Sequence, residues 1–124
     1  MRLFGLNEAN ELIPVIRPKL ARLKNLYSKL NDMREDARAA AAASECGGGM
    51  AAGPVYVKML YEIGKITSEF GEMGVQLKDY SRGLVDFPCL RKGRVVLLCW
   101  QLGEPDKIEW WHETEAGFAG RQRL

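Results

Sequence analysis

Apolar side chains recur at steps of three and four residues along two long stretches of the chain. The first stripe consists of Ala9, Ile13, Ile16, Leu20, Leu23, Tyr27 and Leu30. The second consists of Tyr56, Met59, Ile63, Ile66, Phe70, Met73 and Leu77. This spacing places each set on one face of an α-helix. The pattern predicts helix 1 over residues 5–44 and helix 2 over residues 54–74, joined by a glycine-rich turn over 45–53 into an antiparallel hairpin.

Local signals shape the start of helix 1. Gly5 is suited to the N-cap position, and Glu8 follows three residues later, where its carboxylate reaches back to the cap. Pro14 and Pro18 each lack a backbone N–H, and each ring crowds the carbonyl four residues earlier. We therefore expect helix 1 to be kinked at these two prolines.

The hairpin also predicts which residues lie near the C-terminal part of the chain. If Ser44 faces Pro54, the end of helix 2 lies opposite Lys24, and residues 6–23 of helix 1 extend beyond it. The segment that follows helix 2 then begins beside this overhang. The residues expected to share a site with it are Glu8, Asn10, Glu11 and Arg17.

Helix 2 carries a second stripe of small residues, Gly64, Thr67, Gly71 and Gly74. A glycine within a helix costs about 1 kcal/mol relative to alanine. Close approach of another helix, as in a dimer, would offset this cost. The alternative is a helix of low propensity that frays.

From Val75 the hydrophobic period changes from helical to alternating, which predicts strands over residues 75–113. Residues 95–100 are apolar without interruption, as in a central strand covered on both faces. The tail over residues 114–124 contains glycine and needs no regular structure. The predicted fold is α+β in a single domain over residues 1–124: a long antiparallel helical hairpin followed by a small antiparallel β-sheet.

Composition narrows the class of protein. The 124 residues include 18 basic and 16 acidic side chains, a net charge of +2, which argues against nucleic-acid binding. No apolar run approaches the ~20 residues that cross a bilayer, and the N-terminus lacks a signal-peptide pattern. The three cysteines form no C-x-x-C pair, so we expect free thiols in the cytoplasm. A basic patch for nucleic acid is the minority interpretation of Arg91, Lys92, Arg94, Arg121 and Arg123.

Several separated motifs occur in a characteristic order: F-x-L-x-E-A-N-x-L-x-P, G-L-V-D-F-P, L-C-W-x-L-G-E-P, W-H-E and G-F-A-G-R, in residues 4–14, 83–88, 98–105, 111–113 and 117–121. Together they resemble domain of unknown function 2203, a family of small uncharacterised prokaryotic proteins. The chain departs from the family pattern at Gly5, where a threonine cap is usual, and at Arg123, where proline is common. The resemblance implies a soluble prokaryotic protein and transfers no activity.

Polar residues of the C-terminal module supply the candidate binding site: Asp86, Glu104, Trp111, His112, Glu113 and Arg121. Histidine with carboxylates is a common ligand set for a divalent transition metal. The metal candidates are His112, Glu104, Asp86 and Glu8. Strand alternation points His112 and Glu113 to opposite faces, so they cannot both bind one ion. In the alternative interpretation His112 makes structural hydrogen bonds, and Arg121 pairs with Asp86 or Glu113 to dock the tail.

Two further possibilities concern the cysteine and the tryptophans. Cys99 could act as a nucleophile with His112 as its base, but its apolar surroundings are typical of a buried, inert thiol. Trp100, Trp110 and Trp111 could form a wall for a stacked ligand. If the loop between the last two strands has five residues, Trp100 and Trp110 are cross-strand neighbours on one face, as in a sheet core.

Three hypotheses of function follow. In the first, the protein is non-enzymatic and forms a homodimer or a higher homo-oligomer through its helices, with the C-terminal sheet as a binding surface. In the second, it is a metal-dependent, hydrolase-like enzyme whose site uses His112 and nearby carboxylates to hold a metal-bound water. In the third, the tryptophans bind a small molecule. Whether the protein is an enzyme stays open at this level.

Overall fold

The computed structural model describes residues 1–43 and 53–124. Within these residues the predicted α+β fold is confirmed. Helix α1 (Leu6–Ala43) and helix α2 (Gly53–Met73) precede strands β1 (Gln76–Asp79), β2 (Leu84–Arg91), β3 (Arg94–Gln101), β4 (Trp110–His112) and β5 (Gln122–Arg123). The glycine-rich turn predicted over residues 45–53 lies, apart from Gly53, outside the described residues.

The predicted cap begins helix α1. The Gly5 N–H donates to Oε1 of Glu8 at 3.1 Å, and the Gly5 carbonyl accepts from the Ala9 N–H at 3.0 Å. The helix then continues through Pro14 and Pro18, so neither proline ends it. A bend at these positions remains a prediction.

The two apolar stripes pack together with the inner face of the sheet. All members of the α1 stripe before Tyr27 are fully buried, and Met59, Ile66 and Phe70 are buried on α2. Ion pairs between Lys19 and Glu69 and between Arg22 and Glu62 show the register of the helices. The prediction that α2 ends opposite Lys24 is therefore wrong, because Lys19 already faces a residue within the last turns of α2. The part of α1 that extends beyond the end of α2 is therefore shorter than predicted.

Gly74 ends α2 and explains part of the small-residue stripe. It has φ 80°, its N–H donates to the Gly71 carbonyl, and the next amide donates to the Phe70 carbonyl. This is a glycine C-cap. A Cβ on Gly74 would lie 2.8 Å from Cβ of Arg2, whereas one on Gly64 or Gly71 would meet no described atom within 4 Å. The predicted close helix packing therefore has no partner within the described part of the chain.

The five strands form an antiparallel sheet in the order β1-β2-β3-β4-β5. β3 is a central strand, as predicted. In the β3–β4 pair Cys99 faces Trp110, so the pairing of Trp100 with Trp110 that a five-residue loop would produce does not occur. The reason is a longer connection: β3 ends at Gln101, and the Ile108 N–H bonds Oδ1 of Asn10 instead of β3. A shift of one residue sends every side chain to the other face.

The two faces of the sheet have different environments. The inner face packs on the helices and consists of Val85, Phe87, Cys89, Val96, Leu98 and Trp100. The outer face carries Asp86, Cys99, Trp110 and His112, and the C-terminal tail lies over it. The tail is more regular than predicted, with a 3-10 turn at Phe118–Gly120 and the edge strand β5. Among the described helices, none combines the length and hydrophobicity that a membrane span requires.

Candidate functional site: a buried Asp–Cys–His cluster

Asp86 and His112 form a buried polar pair on the outer face of the sheet. Asp86 lies in the middle of β2 and His112 ends β4, and each is only 2% exposed. The Nε2 atom of His112 lies 3.0 Å from both carboxylate oxygens of Asp86. The other ring nitrogen, Nδ1, lies 2.7 Å from the backbone carbonyl oxygen of Glu113. Among the described residues, the hydrogen-bond partners of the imidazole are therefore all oxygen atoms.

This arrangement fixes the hydrogen on one side of the ring. A carbonyl oxygen can only accept, so Nδ1 of His112 carries a hydrogen and donates it to Glu113. Nε2 faces both oxygens of the Asp86 carboxylate across 3.0 Å, so these potential ligand atoms border the same small space.

Cys99 completes the cluster from the strand between them. It is the direct cross-strand partner of Asp86 in the β2–β3 pair and is fully buried. Ligand atoms of Asp86, Cys99 and His112 all lie within 4.8 Å of one another. Burial, with a further contribution from the Asp86 carboxylate, raises the pKa of the Cys99 thiol to about 12. The metal-free thiol is therefore protonated and is a poor nucleophile, which disfavours a Cys99–His112 catalytic pair.

A small cavity reaches this cluster from the tail side, and its volume is about 150 Å³. Both Asp86 and His112 contribute to its wall. The remaining wall residues are Lys78, Leu84, Leu97, Thr114, Gly117 and Phe118. The cavity is large enough for water molecules or a very small ligand next to the buried pair.

Arg121 and Glu104 hold the tail against the sheet beside the cluster. Nη2 of Arg121 donates to both carboxylate oxygens of Glu104 at 2.8 and 2.6 Å, and the Gln101 N–H also donates to Glu104. The Arg121 guanidinium lies over the rings of Trp110 and Phe118, at 4.8 and 4.7 Å from their centroids. The expected ion pair of the tail thus forms, but with Glu104 instead of Asp86 or Glu113.

The structure places the other candidates away from this cluster. Glu113 pairs with Arg94 at 2.5 Å on the opposite face of the sheet, as strand alternation predicted. Glu8 caps α1 and pairs with Arg2, and Trp111 packs against the inner core. Of the predicted metal candidates, only Asp86 and His112 meet. The sequence indicates Cys99 only as a possible nucleophile, and its position opposite Asp86 adds it to the ligand candidates.

Asn10 and Arg17, two polar residues of α1, make structural contacts. Asn10 accepts from the Ile108 N–H at 2.8 Å, and Arg17 forms an ion pair with Asp106. Both contacts dock the loop between β3 and β4 onto the helix. They confirm that the start of α1 lies beside the C-terminal module, but neither residue reaches the buried cluster.

Comparison with known proteins gives one match. No curated protein sequence and no solved structure matches this chain. The model of a family described as "Uncharacterized conserved protein (DUF2203)" matches residues 2–124, which confirms the resemblance seen in the motifs. Since this match spans nearly the whole length, the chain belongs to the family of uncharacterized conserved proteins DUF2203.

Proposed function

We propose that this protein binds a divalent transition metal, with zinc the best chemical fit, through Asp86, Cys99 and His112. The observation that carries the proposal is the convergence of one oxygen, one sulfur and one nitrogen ligand within 4.8 Å on a buried face. Mixed ligand sets of this kind suit zinc, which accepts all three atom types in tetrahedral geometry. A cytoplasmic location would keep the thiol reduced, and both described cysteines are free.

The hydrogen bonds of His112 support this assignment. Ligating histidines usually donate their second ring N–H to a carbonyl or carboxylate, which fixes the tautomer and orients the ring. The Nδ1–H of His112 does this with the Glu113 carbonyl and leaves Nε2 as the ligand atom. Metal–ligand bonds of about 2.0–2.3 Å require ligand atoms roughly 3.3–3.8 Å apart. Asp86 and His112 would therefore separate by a few tenths of an ångström from their hydrogen-bonded 3.0 Å.

Charge balance gives a second supporting argument. A divalent ion with the Cys99 thiolate, the Asp86 carboxylate and a neutral imidazole is electrically neutral. The metal-bound cluster therefore buries no net charge, which would be costly. Metal binding would also release the thiol proton of Cys99, because the thiolate is the ligand form.

The reaction class follows from the number of protein ligands. Three ligands leave a fourth position, as in catalytic zinc sites. The small cavity along Asp86 and His112 offers space for a bound water there. A divalent ion held by Asp86, Cys99 and His112 would supply Lewis acidity and would activate water for hydrolysis of carbonyl or phosphoryl groups. We therefore favour a metal-dependent hydrolase as the reaction class.

Cobalt spectroscopy tests the ligand set. Co²⁺ bound to a thiolate gives a sulfur-to-metal charge-transfer band in the near ultraviolet. In a Cys46→Ser background we expect this band to appear on titration with Co²⁺ and to vanish in Cys99→Ser. The matched control is Cys89→Ser, because Cys89 is buried on the opposite face. A band that survives in Cys99→Ser, or no band in the parent protein, contradicts the proposal.

A second candidate function is self-association through α2 with another copy of this chain. Its exposed side carries Val57, Leu60 and Tyr61, of which Val57 is 64% and Tyr61 75% exposed. Gly64 lies on this helix with open space around its Cβ position, so a second backbone could approach closely. Light scattering at micromolar concentration should show a dimer that Tyr61→Arg converts to a monomer. A strictly monomeric parent protein would rule out this candidate.

A further inference from the structure

The β2–β3 hairpin gathers three cations at one end of the sheet. A two-residue turn, Lys92–Gly93, pairs Arg91 directly with Arg94. Like charges placed opposite each other destabilise a sheet. Among the described residues, the one ion pair that these three cations make is between Arg94 and Glu113. This end of the sheet is therefore locally positive, although the whole chain carries only +2.

A cavity of about 310 Å³ opens among these cations. Its wall consists of Arg91, Lys92, Arg94, Val96 and Trp111. Since Trp111 and His112 point to opposite faces of β4, this cavity is separate from the one at the Asp86–His112 pair. Its volume is at the small end of the range for ligand sites, which favours a molecule with a single ring.

Arg91 offers an unused donor in this cavity. Its guanidinium carbon lies 5.0 Å from the centroid of the Trp111 ring, which orients the side chain. Its Nη1 atom is buried and has no hydrogen-bond partner among the described residues. A buried donor of a charged group without an acceptor is costly, so an anionic acceptor would be favoured here.

Lys92 occupies a backbone position that does not suit lysine. Its φ is 50°, followed by Gly93 at 78°. Two-residue hairpin turns of this type favour asparagine or glycine at the first position, because other residues are strained there. Backbone strain of this kind is often retained at binding sites, because a particular side chain is needed at a fixed position there. Here the strained residue, Lys92, forms part of the cavity wall.

We propose that this cavity binds a small organic phosphate, with the phosphate at Arg91 and Lys92 and an aromatic or apolar group against Val96 and Trp111. The apolar wall distinguishes the ligand from free phosphate. A nucleic acid would need an extended basic surface, but Arg121 and Arg123 are paired with Glu104 and Glu109. The inference is independent of the metal site, because no residue is shared.

Isothermal titration calorimetry with phenyl phosphate tests the site, with inorganic phosphate as the comparison ligand. We expect saturable binding of phenyl phosphate, at least about tenfold tighter than inorganic phosphate, and about tenfold weaker binding in Arg91→Gln. Lys24→Gln, an exposed lysine of α1, is the charge-matched control and should leave the affinity unchanged.

Lys92→Asn separates a ligand role from a structural one. Asparagine fits the turn better than lysine, so the variant should be at least as resistant to urea as the parent protein. It should nevertheless bind phenyl phosphate several-fold more weakly, because the ammonium group is gone. The proposal is overturned by no saturable binding up to about 10 mM. It is equally overturned if inorganic phosphate binds as tightly, or if Lys24→Gln and Arg91→Gln have equal effects.

Discussion

The Nε2 atom of His112 lies 3.0 Å from both carboxylate oxygens of Asp86, although 26 positions separate the two residues in the chain. They belong to β4 and β2, and β3 runs between these strands. Cys99 projects from β3 on the same face. Three adjacent strands thus each contribute one ligand-type side chain to a single buried cluster.

Removal of one member of the pair should be strongly destabilising. Asp86→Ala leaves Nε2 of His112 buried without a partner, and we expect the free energy of unfolding to fall by about 3 kcal/mol. Urea denaturation of the metal-free protein measures this change. Glu113→Gln is the control, because its ion pair with Arg94 is largely exposed and should contribute less than about 1 kcal/mol. Equal losses in the two variants would show that the buried pair has no special role in stability.

Arg121 should hold the tail in a way that lysine cannot reproduce. Its planar guanidinium contacts two aromatic rings and the Glu104 carboxylate together, and lysine offers only a point charge. In Arg121→Lys we expect the Leu124 amide, which bonds the Glu109 carbonyl at 2.9 Å, to exchange its hydrogen about tenfold faster. The more exposed Arg123→Lys should have a smaller effect. Unchanged protection of the tail in Arg121→Lys would contradict this role.

Substitution by alanine should change the stability in opposite directions at Gly64, within α2, and at Gly74, directly after it. At Gly74 the positive φ and the 2.8 Å approach to Cβ of Arg2 should make alanine destabilising by about 1–2 kcal/mol. At Gly64 the space is open and the helix interior favours alanine, so the free energy of unfolding should rise by up to about 1 kcal/mol. Urea denaturation at low protein concentration compares the two. A loss of stability in Gly64→Ala would contradict the open environment found there.

Cys99 should be inert towards alkylation in the folded, metal-free protein. Only the thiolate reacts, and a pKa of about 12 leaves very little thiolate at pH 8. Because the pKa is raised, the rate of modification by iodoacetamide should increase about tenfold per pH unit from pH 7 to 10. Peptide mapping by mass spectrometry in the presence of a chelator measures it. Rapid modification of native Cys99 at pH 8 would refute the assigned environment and revive the nucleophile hypothesis.

The helices could be predicted from the sequence because their signals are local. The apolar stripes predict the helix ends that the structure describes to within one residue. The cap formed by Gly5 and Glu8 is likewise predicted from neighbouring residues. The register between the helices was not predictable from a symmetric hairpin, because it depends on how side chains distant in sequence pack together, as in the Lys19–Glu69 contact.

The candidate site was predictable only in part. Asp86 and His112 were identified as candidate ligands, but Glu8 and Glu104 serve a helix cap and the ion pair of the tail. The position of Cys99 opposite Asp86 could have been predicted. A two-residue turn at Lys92–Gly93 pairs Arg91 with Arg94, and counting outwards along both strands then pairs Asp86 with Cys99. The same counting fails between β3 and β4, where the contact of Ile108 with Asn10 lengthens the loop and places Trp100 and Trp110 on opposite faces of the sheet.

The most direct test of the metal site is elemental analysis of untagged protein, saturated with zinc and then dialysed without chelator. We predict about one zinc ion per chain in the parent protein and in Glu113→Gln, and loss of that zinc in Cys99→Ala and His112→Ala. Retention of the same zinc content by Cys99→Ala and His112→Ala, or a parent protein that retains none, would contradict the proposed site.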